Sequence, residues 1–386
     1  MIKIKITYLI TIAASILFLV AGHNFAKIGM FSFQNPSQEI VRAKIQKVIE
    51  RIKPNFDFIE DFDDYETFAP MMQGDRIVFE AVIINGARKG EIVTAEQTFT
   101  PQLVDRSKEV EKGDNVLLYK SEIGWYFNGY VRINALLVLG GLFVLFLLLF
   151  GGVKGFNTIL SLGFTCTAVF AVFVPAILSG KNIYVMSIIV CVFVIAMVNL
   201  IVIGYNKKAA ASMAGCAGGV IISGIIAVVM DKTLYLTGII DEHSRYLINL
   251  PGDVQLNLNA VIFAGIIIGA MGAVMDVSIS ISSSLWEVKE KAVNIKFKEL
   301  LRSGITIGRD IMGSMADTLI LAYIGSSLTL VLLLTIYSTS FLGLFNSEMI
   351  AVEILQALAG SLGILFAMPL TALFCSIIYL KEKPLK

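Results

Sequence analysis

Charge is what this chain has least of. Only 16% of its 386 residues are Asp, Glu, Lys or Arg, against about 25% in ordinary soluble domains. Histidine and tryptophan occur twice each and proline eight times, while 56% of the residues are hydrophobic. The mean hydropathy is +0.78. A surface wetted by so few charges is not that of a soluble protein, so the composition indicates an integral membrane protein. The formal net charge is +1, and no dense basic tract occurs, which excludes nucleic acid as a partner. The four cysteines, Cys166, Cys191, Cys216 and Cys375, all lie in apolar runs rather than polar loops. That placement excludes a disulfide framework, and their spacing fits no metal site. They read as small buried hydrophobes. The chain has no Walker A loop, no HExxH and no GxSxG, so ATP hydrolysis, zinc proteolysis and α/β-hydrolase chemistry are without support, and no cofactor is expected.

Long apolar runs are what the chain has instead. Lys3 and Lys5 precede an apolar stretch from Ile6 to Ala21. It has the form of an uncleaved N-terminal anchor over residues 1–22, its basic end in the cytoplasm. Residues 23–131 then turn polar and show period-2 stretches at Val41–Val48, Arg76–Ile84, Glu91–Thr98 and Asn115–Tyr119. Turn signals at Asn85-Gly86, Lys89-Gly90 and Lys112-Gly113-Asp114 separate them, which predicts a small all-β barrel or sandwich. The loop Asp57–Glu66 is strongly acidic but lacks the ligand order and turn glycine of a calcium loop, so it reads as a solvated loop. Trp125, Tyr126, Phe127 and Tyr130 before Arg132 read as an aromatic belt at the membrane interface.

Apolar runs at Ile133–Phe150, Phe156–Leu178, Ile183–Ile203, Ala209–Met230, Asn259–Leu285, Ala316–Tyr337 and Leu355–Leu380 follow, each able to cross a bilayer. They make residues 132–386 a seven-helix domain and, with the anchor, give about eight transmembrane helices. Lys154, Lys207-Lys208, the run Lys289–Arg309 and Lys381–Lys386 fall on one side, and Asp231–Asn257 and Ser338–Glu353 on the other. Positive residues mark the cytoplasmic side, so both termini are expected inside and residues 23–131 outside the cytoplasmic membrane. The longest inside loop, Val288–Arg309, reads as an amphipathic helix on the anionic inner leaflet, with a regulatory or partner-docking surface as the alternative.

The run Asn259–Glu287 carries a carboxylate well inside it, Asp276. Gly265, Gly269, Gly272, Asp276, Ser280, Ser283 and Glu287 follow at spacings of three or four, one stripe of a helix. The glycines let another helix approach, and the lower half offers one acid among hydroxyls. A charge near the bilayer centre costs at least about 2.5–3.5 kcal/mol, so an acid there is read as inward-facing and functional, the plainer reading being a protonated packing acid. A second group, Asp310, Gly313, Ser314, Asp317 and Thr318, occupies the next span. Counted at 1.5 Å per residue, Asp317 lies about 10 Å and Asp276 about 15 Å from the inner interface. Adjacent antiparallel helices would place the two acids at similar depth, with no predicted base to neutralise them. Such a pair holds a proton or binds a hard cation, with Ser280, Ser283 and Thr318 supplying oxygens. Alternatively, Asp317 sits in the interface and caps its helix. Gly215, Gly219, Gly360 and Gly363 are assigned to helix packing. Asn157, Ser161 and Thr165 form a further polar stripe that lines a path or glues helices. An intramembrane aspartyl protease would need GxGD and a PAL-like segment, but the chain offers only SMAD at Ser314–Asp317 and MPL at Met368–Leu370. An enzyme is therefore not expected.

GAVMDVSISISSSLWE (Gly272–Glu287), GRDIMGSMADTLILAYIG (Gly308–Gly325) and EILQALAGSLGILFAMPLTA (Glu353–Ala372), with GARKGEIV (Gly86–Val93) and YNKKAAASMAGCAGG (Tyr205–Gly219), resemble the YibE/F family of bacterial membrane proteins. The resemblance implies a multi-pass bacterial membrane protein and brings little about activity. Two functions follow from the residues. One is a transporter or permease for a small solute or ion, ion- or proton-coupled through Asp276. The other is a non-transporting scaffold or envelope-assembly factor that binds a second membrane protein or another copy of itself.

Overall fold

The computed structural model describes residues 2–29, 39–52, 75–99, 108–248, 255–292, 294–337 and 340–380. The acidic loop Asp57–Glu66 and the basic C-terminal Lys381–Lys386 lie outside them. The chain forms two compact units, Met1–Ser32 with Leu147–Lys386, and Phe33–Phe146.

The second unit contains five strands, β1 (Ile40–Ile52), β2 (Arg76–Ile83), β3 (Ile92–Thr98), β4 (Asn115–Lys120) and β5 (Trp125–Tyr130). They close a barrel in the order β1-β2-β3-β5-β4, with β3 and β5 parallel and the other pairs antiparallel. Alternation puts Val41, Ala43 and Ile45 of β1 and Ile77, Phe79, Ala81 and Ile83 of β2 inside. Gln97 is also inside, its amide oxygen accepting from the Val110 N–H (3.0 Å) and its nitrogen donating to the Lys108 carbonyl (3.1 Å). The aromatic run Trp125–Tyr130 forms the fifth strand. Trp125 closes the barrel core with the Arg88 guanidinium over its ring, and Tyr126 stacks on Tyr119.

The first unit is helical. Its described long helices are α1 (Ile2–Lys27), α2 (Ile133–Thr167, which starts in the other unit), α4 (Ile183–Val202), α5 (Lys207–Thr233), α7 (Leu258–Lys291), α8 (Phe297–Ser326) and α11 (Glu348–Leu380). Shorter pieces are a π-turn at Ala168–Phe173, α3 (Val174–Leu178), α6 (Glu242–Ile248), α9 (Leu328–Tyr337) and α10 (Phe341–Asn346). Six helical runs among the described residues are long and apolar enough to cross a membrane, and a seventh does so if α8 and α9, bent by 59°, count as one. One of the six is Ile133–Leu178, at 46 residues. It would be about 70 Å long if straight, but Gly152 breaks it with φ 53°, a left-handed conformation that favours glycine.

α1 is held to its neighbours by polar bonds as well as by packing. Tyr8 donates to Asn157 Oδ1 at 2.8 Å, and Asn157 donates onward to the Ile201 carbonyl at 3.1 Å. His23 Nδ1 lies 2.7 Å from the Ala171 carbonyl, which can only accept, so that nitrogen carries the proton. Phe18 stacks on Phe193 with ring centroids 4.0 Å apart. Asn157 thus glues three helices together.

The core of the unit is α5, α7 and α11. Glycines let them meet closely: a Cβ on Gly215 would run into Thr371, one on Gly219 would lie 2.8 Å from Ala367 Cβ, and one on Gly363 would run into Ser223. Tyr379 of α11, fully buried, donates to the Ser282 carbonyl of α7 at 2.8 Å.

The amphipathic helix expected within Val288–Arg309 is present as the first half of α8, which runs on without a break through Arg309 and Asp310. Glu299 caps its start by accepting from the Lys296 N–H at 3.0 Å. Leu300, Gly304 and Gly308 then turn one narrow face inward, Gly304 against Leu285 and Ala372 and Gly308 against Ile281 and Met368. Lys298, Arg302 and Arg309 lie exposed off that face.

Candidate functional site

Helix α7 is wrapped by α5, α8 and α11 over most of its surface. Ile262, Ile266, Ala270, Val274, Val277, Ile281 and Leu285 are buried along it. One face stays uncovered, and its residues are those of the predicted stripe: Gly265, Gly269, Gly272, Asp276 and Glu287 are exposed, with Ser280 and Ser283 half-buried. The other long helices each expose large apolar side chains, for example Val185 and Ile188 on α4, Ile221 and Ile225 on α5, and Leu365 and Phe366 on α11. Among the described residues, α7 exposes none. From Gly265 to Glu287 the stripe runs about 33 Å at 1.5 Å per residue, close to the ~30 Å of a bilayer's hydrocarbon core.

Sequence reasoning places Asp276 facing inward. The structure turns it outward from the bundle, onto the face that no described part of the chain covers. A single helix shows which residues share a stripe, but not which stripe its neighbours leave open. The sequence also pairs Asp276 with Asp317, and here the structure separates them. The inward row of α8 runs through Gly304 and Gly308. Asp317 follows Gly308 by nine positions, roughly 900° of helical rotation or half a turn away. Asp310, Asp317 and Thr318 are accordingly exposed on the side of α8 turned from α7, and Thr318 donates back to the Ser314 carbonyl at 2.7 Å.

Two residues border the upper stripe that the sequence did not mark. A Cβ on Gly269 would lie 2.6 Å from the Tyr323 hydroxyl of α8, and one on Gly265 would lie 3.8 Å from Gln356 Nε2 of α11. The signal was a polar pair, Glu353 and Gln356, one turn apart at the start of an otherwise apolar helix. Gly272 has nothing within 4 Å of a Cβ. The upper stripe is therefore flanked by a phenol and an amide, and the middle is open beside Asp276. Ser278 and Ser282, by contrast, are buried on the far side, with Thr371 3.2 Å from the Ser278 hydroxyl. Gly360 packs on Leu319, with a Cβ distance of 2.8 Å.

Among the described residues, no group of three His, Cys, Asp or Glu is placed to hold a metal ion. Cys191, Cys216 and Cys375 are buried and Cys166 is exposed, all as free thiols.

The family model for YibE/F-like proteins matches residues 139–381. The chain belongs to that family. No curated protein and no solved structure gives a match.

Proposed function

We propose that this YibE/F-like chain is an integral membrane transporter or permease, ion- or proton-coupled through Asp276. In this reading the chain crosses the cytoplasmic membrane eight times, with the long run broken at Gly152 counted twice and α8 with α9 counted once. Both termini are cytoplasmic, and the barrel lies outside, where it presents or gates the solute. The observation that carries the reading is the uncovered face of α7, which among the described residues is the one long helix that offers glycine, hydroxyl and carboxylate with no exposed large apolar group. A carboxylate facing hydrocarbon is costly. A hydrated groove along this stripe removes that cost and leads past Asp276. Ser280 and Ser283 continue it with hydroxyl oxygens.

The same face favours one competing reading. Exposed glycines at helical spacing admit a close-packed helix, so a second copy or another membrane protein seated there would make the chain a scaffold or assembly factor. Single cysteines at Gly272 and Ser280, in a variant lacking the native cysteines, separate the two. Rapid modification by a membrane-impermeant thiol reagent supports the groove. Protection, together with Gly272→Cys disulfide-linked dimers, supports the scaffold and contradicts transport along this face.

A further inference from the structure

A second polar feature lies near the opposite end of α7, at Asn259. Asn259 precedes Asp276 by seventeen positions, about 25 Å along the helix at 1.5 Å per residue. It borders a small, half-enclosed cavity with room for about one water-sized occupant, lined by Tyr184, Ala227, Asp231, Leu236 and Phe263 among others. The cavity thus joins the start of α4, the end of α5 and the start of α7. Its walls are apolar except for three groups: the Tyr184 phenol, the Asp231 carboxylate and the Asn259 amide. Asp231 Oδ1 and Asn259 Oδ1 are both buried, and neither accepts a hydrogen bond from any described residue.

The orientation of the amide is fixed. Asn259 Nδ2 donates to the Leu236 carbonyl at 2.9 Å, and a carbonyl can only accept, so the amide oxygen is the atom left over. The roof over it is fixed as well. Glu348 at the head of α11 accepts from the Thr237 N–H (2.6 Å), the Thr237 hydroxyl (2.8 Å) and the Gly238 N–H (2.7 Å). The turn carrying Leu236 is thereby held across the cavity from two helices. Gly238 takes φ +83° in that turn, and a Cβ there would run into Leu258.

Two buried acceptors without a donor cost roughly 1–3 kcal/mol each, more for a charged one. An occupant that supplies positive charge to both oxygens offsets this. A divalent cation of the calcium type takes six to eight oxygens, commonly from several carboxylates. One carboxylate, one amide oxygen and one phenol balance a single charge. Lys232, the next residue, is exposed and does not line the cavity.

We infer that the cavity between Asp231, Asn259 and Tyr184 binds a monovalent metal cation of sodium size, held by Asp231 Oδ1 and Asn259 Oδ1. The site is separate from the α7 stripe, and its occupancy does not depend on whether Asp276 carries ions.

The test uses purified full-length protein in nanodiscs. Radioactive sodium (²²Na⁺) retained at one ion per chain, and displaced by unlabelled sodium, is expected for the natural chain. Its thermal unfolding midpoint should rise saturably in sodium chloride over choline chloride of equal ionic strength, on the order of 5 °C at 100 times Kd. Asp231→Asn, nearly isosteric, should unfold as the natural chain does in choline and lose both responses. Failure of the natural chain to retain ²²Na⁺ would overturn the site, whatever the variant does. So would full retention by Asp231→Asn, or displacement of sodium by calcium at lower concentration than by sodium itself.

Discussion

The Tyr323 hydroxyl borders Gly269, so close that a Cβ there would meet it at 2.6 Å. The contact is with the free end of a side chain on the uncovered face of α7, where a phenol can swing aside. Gly215 differs, because a Cβ there would meet the Thr371 side chain and lie 2.8 Å from the Thr371 Cα in the interior of the bundle. Gly269→Ala is therefore expected to change stability by less than about 0.5 kcal/mol, and Gly215→Ala to cost about 1–3 kcal/mol through overpacking. Thermal unfolding of the two variants in one detergent compares them. Equal losses would mean that the α7 face is packed after all.

The barrel offers an independent test. Gln97 satisfies the Val110 N–H and the Lys108 carbonyl from inside the barrel wall. Gln97→Ala leaves the buried Val110 N–H without that partner, at roughly 1–3 kcal/mol, while the Lys108 carbonyl keeps the Tyr130 hydroxyl. Proteolysis within residues 39–130 should accelerate while cleavage elsewhere is unchanged. Gln97→Glu should restore less than the natural residue, since a carboxylate accepts from Val110 but cannot donate to Lys108.

Tyr130 donates to the same Lys108 carbonyl at 2.8 Å. Partial burial, then the nearby Asp114 and Glu111 carboxylates, raise its pKa above the ordinary 10.0. A raised folded-state value means that its stabilising contribution is complete below pH 10.0 and is lost as pH climbs through the folded-state pKa. The natural barrel should thus lose stability in that alkaline window more steeply than Tyr130→Phe does. Tyrosinate absorbance at 295 nm, recorded alongside proteolysis, reads this out, and parallel curves would contradict it.

Much of this architecture is legible before the structure, and the exceptions have physical reasons. Four strands announce themselves by alternation. The fifth does not, because Trp125, Tyr126 and Phe127 in succession erase the period of two. The start of α8 is legible as an amphipathic helix, but its continuity with the apolar run that follows is not, because Arg309 and Asp310 read as a boundary between the two. The α7 stripe is plain in the spacing of Gly265 to Glu287, but the uncovered direction depends on α5, α8 and α11 together. Asp231 and Asn259 are 28 positions apart across the segment between α5 and α7, so no periodicity connects them.

The most direct test of the central claim is the carboxyl infrared spectrum of reconstituted protein across pH, with and without sodium. Asp276→Asn identifies the band, and Asp231→Asn serves as control for the other site. The account predicts a band that is lost in Asp276→Asn, retained in Asp231→Asn, and changed by pH or sodium. An Asp276 band that ignores both would contradict ion coupling and leave the scaffold as the reading of this face.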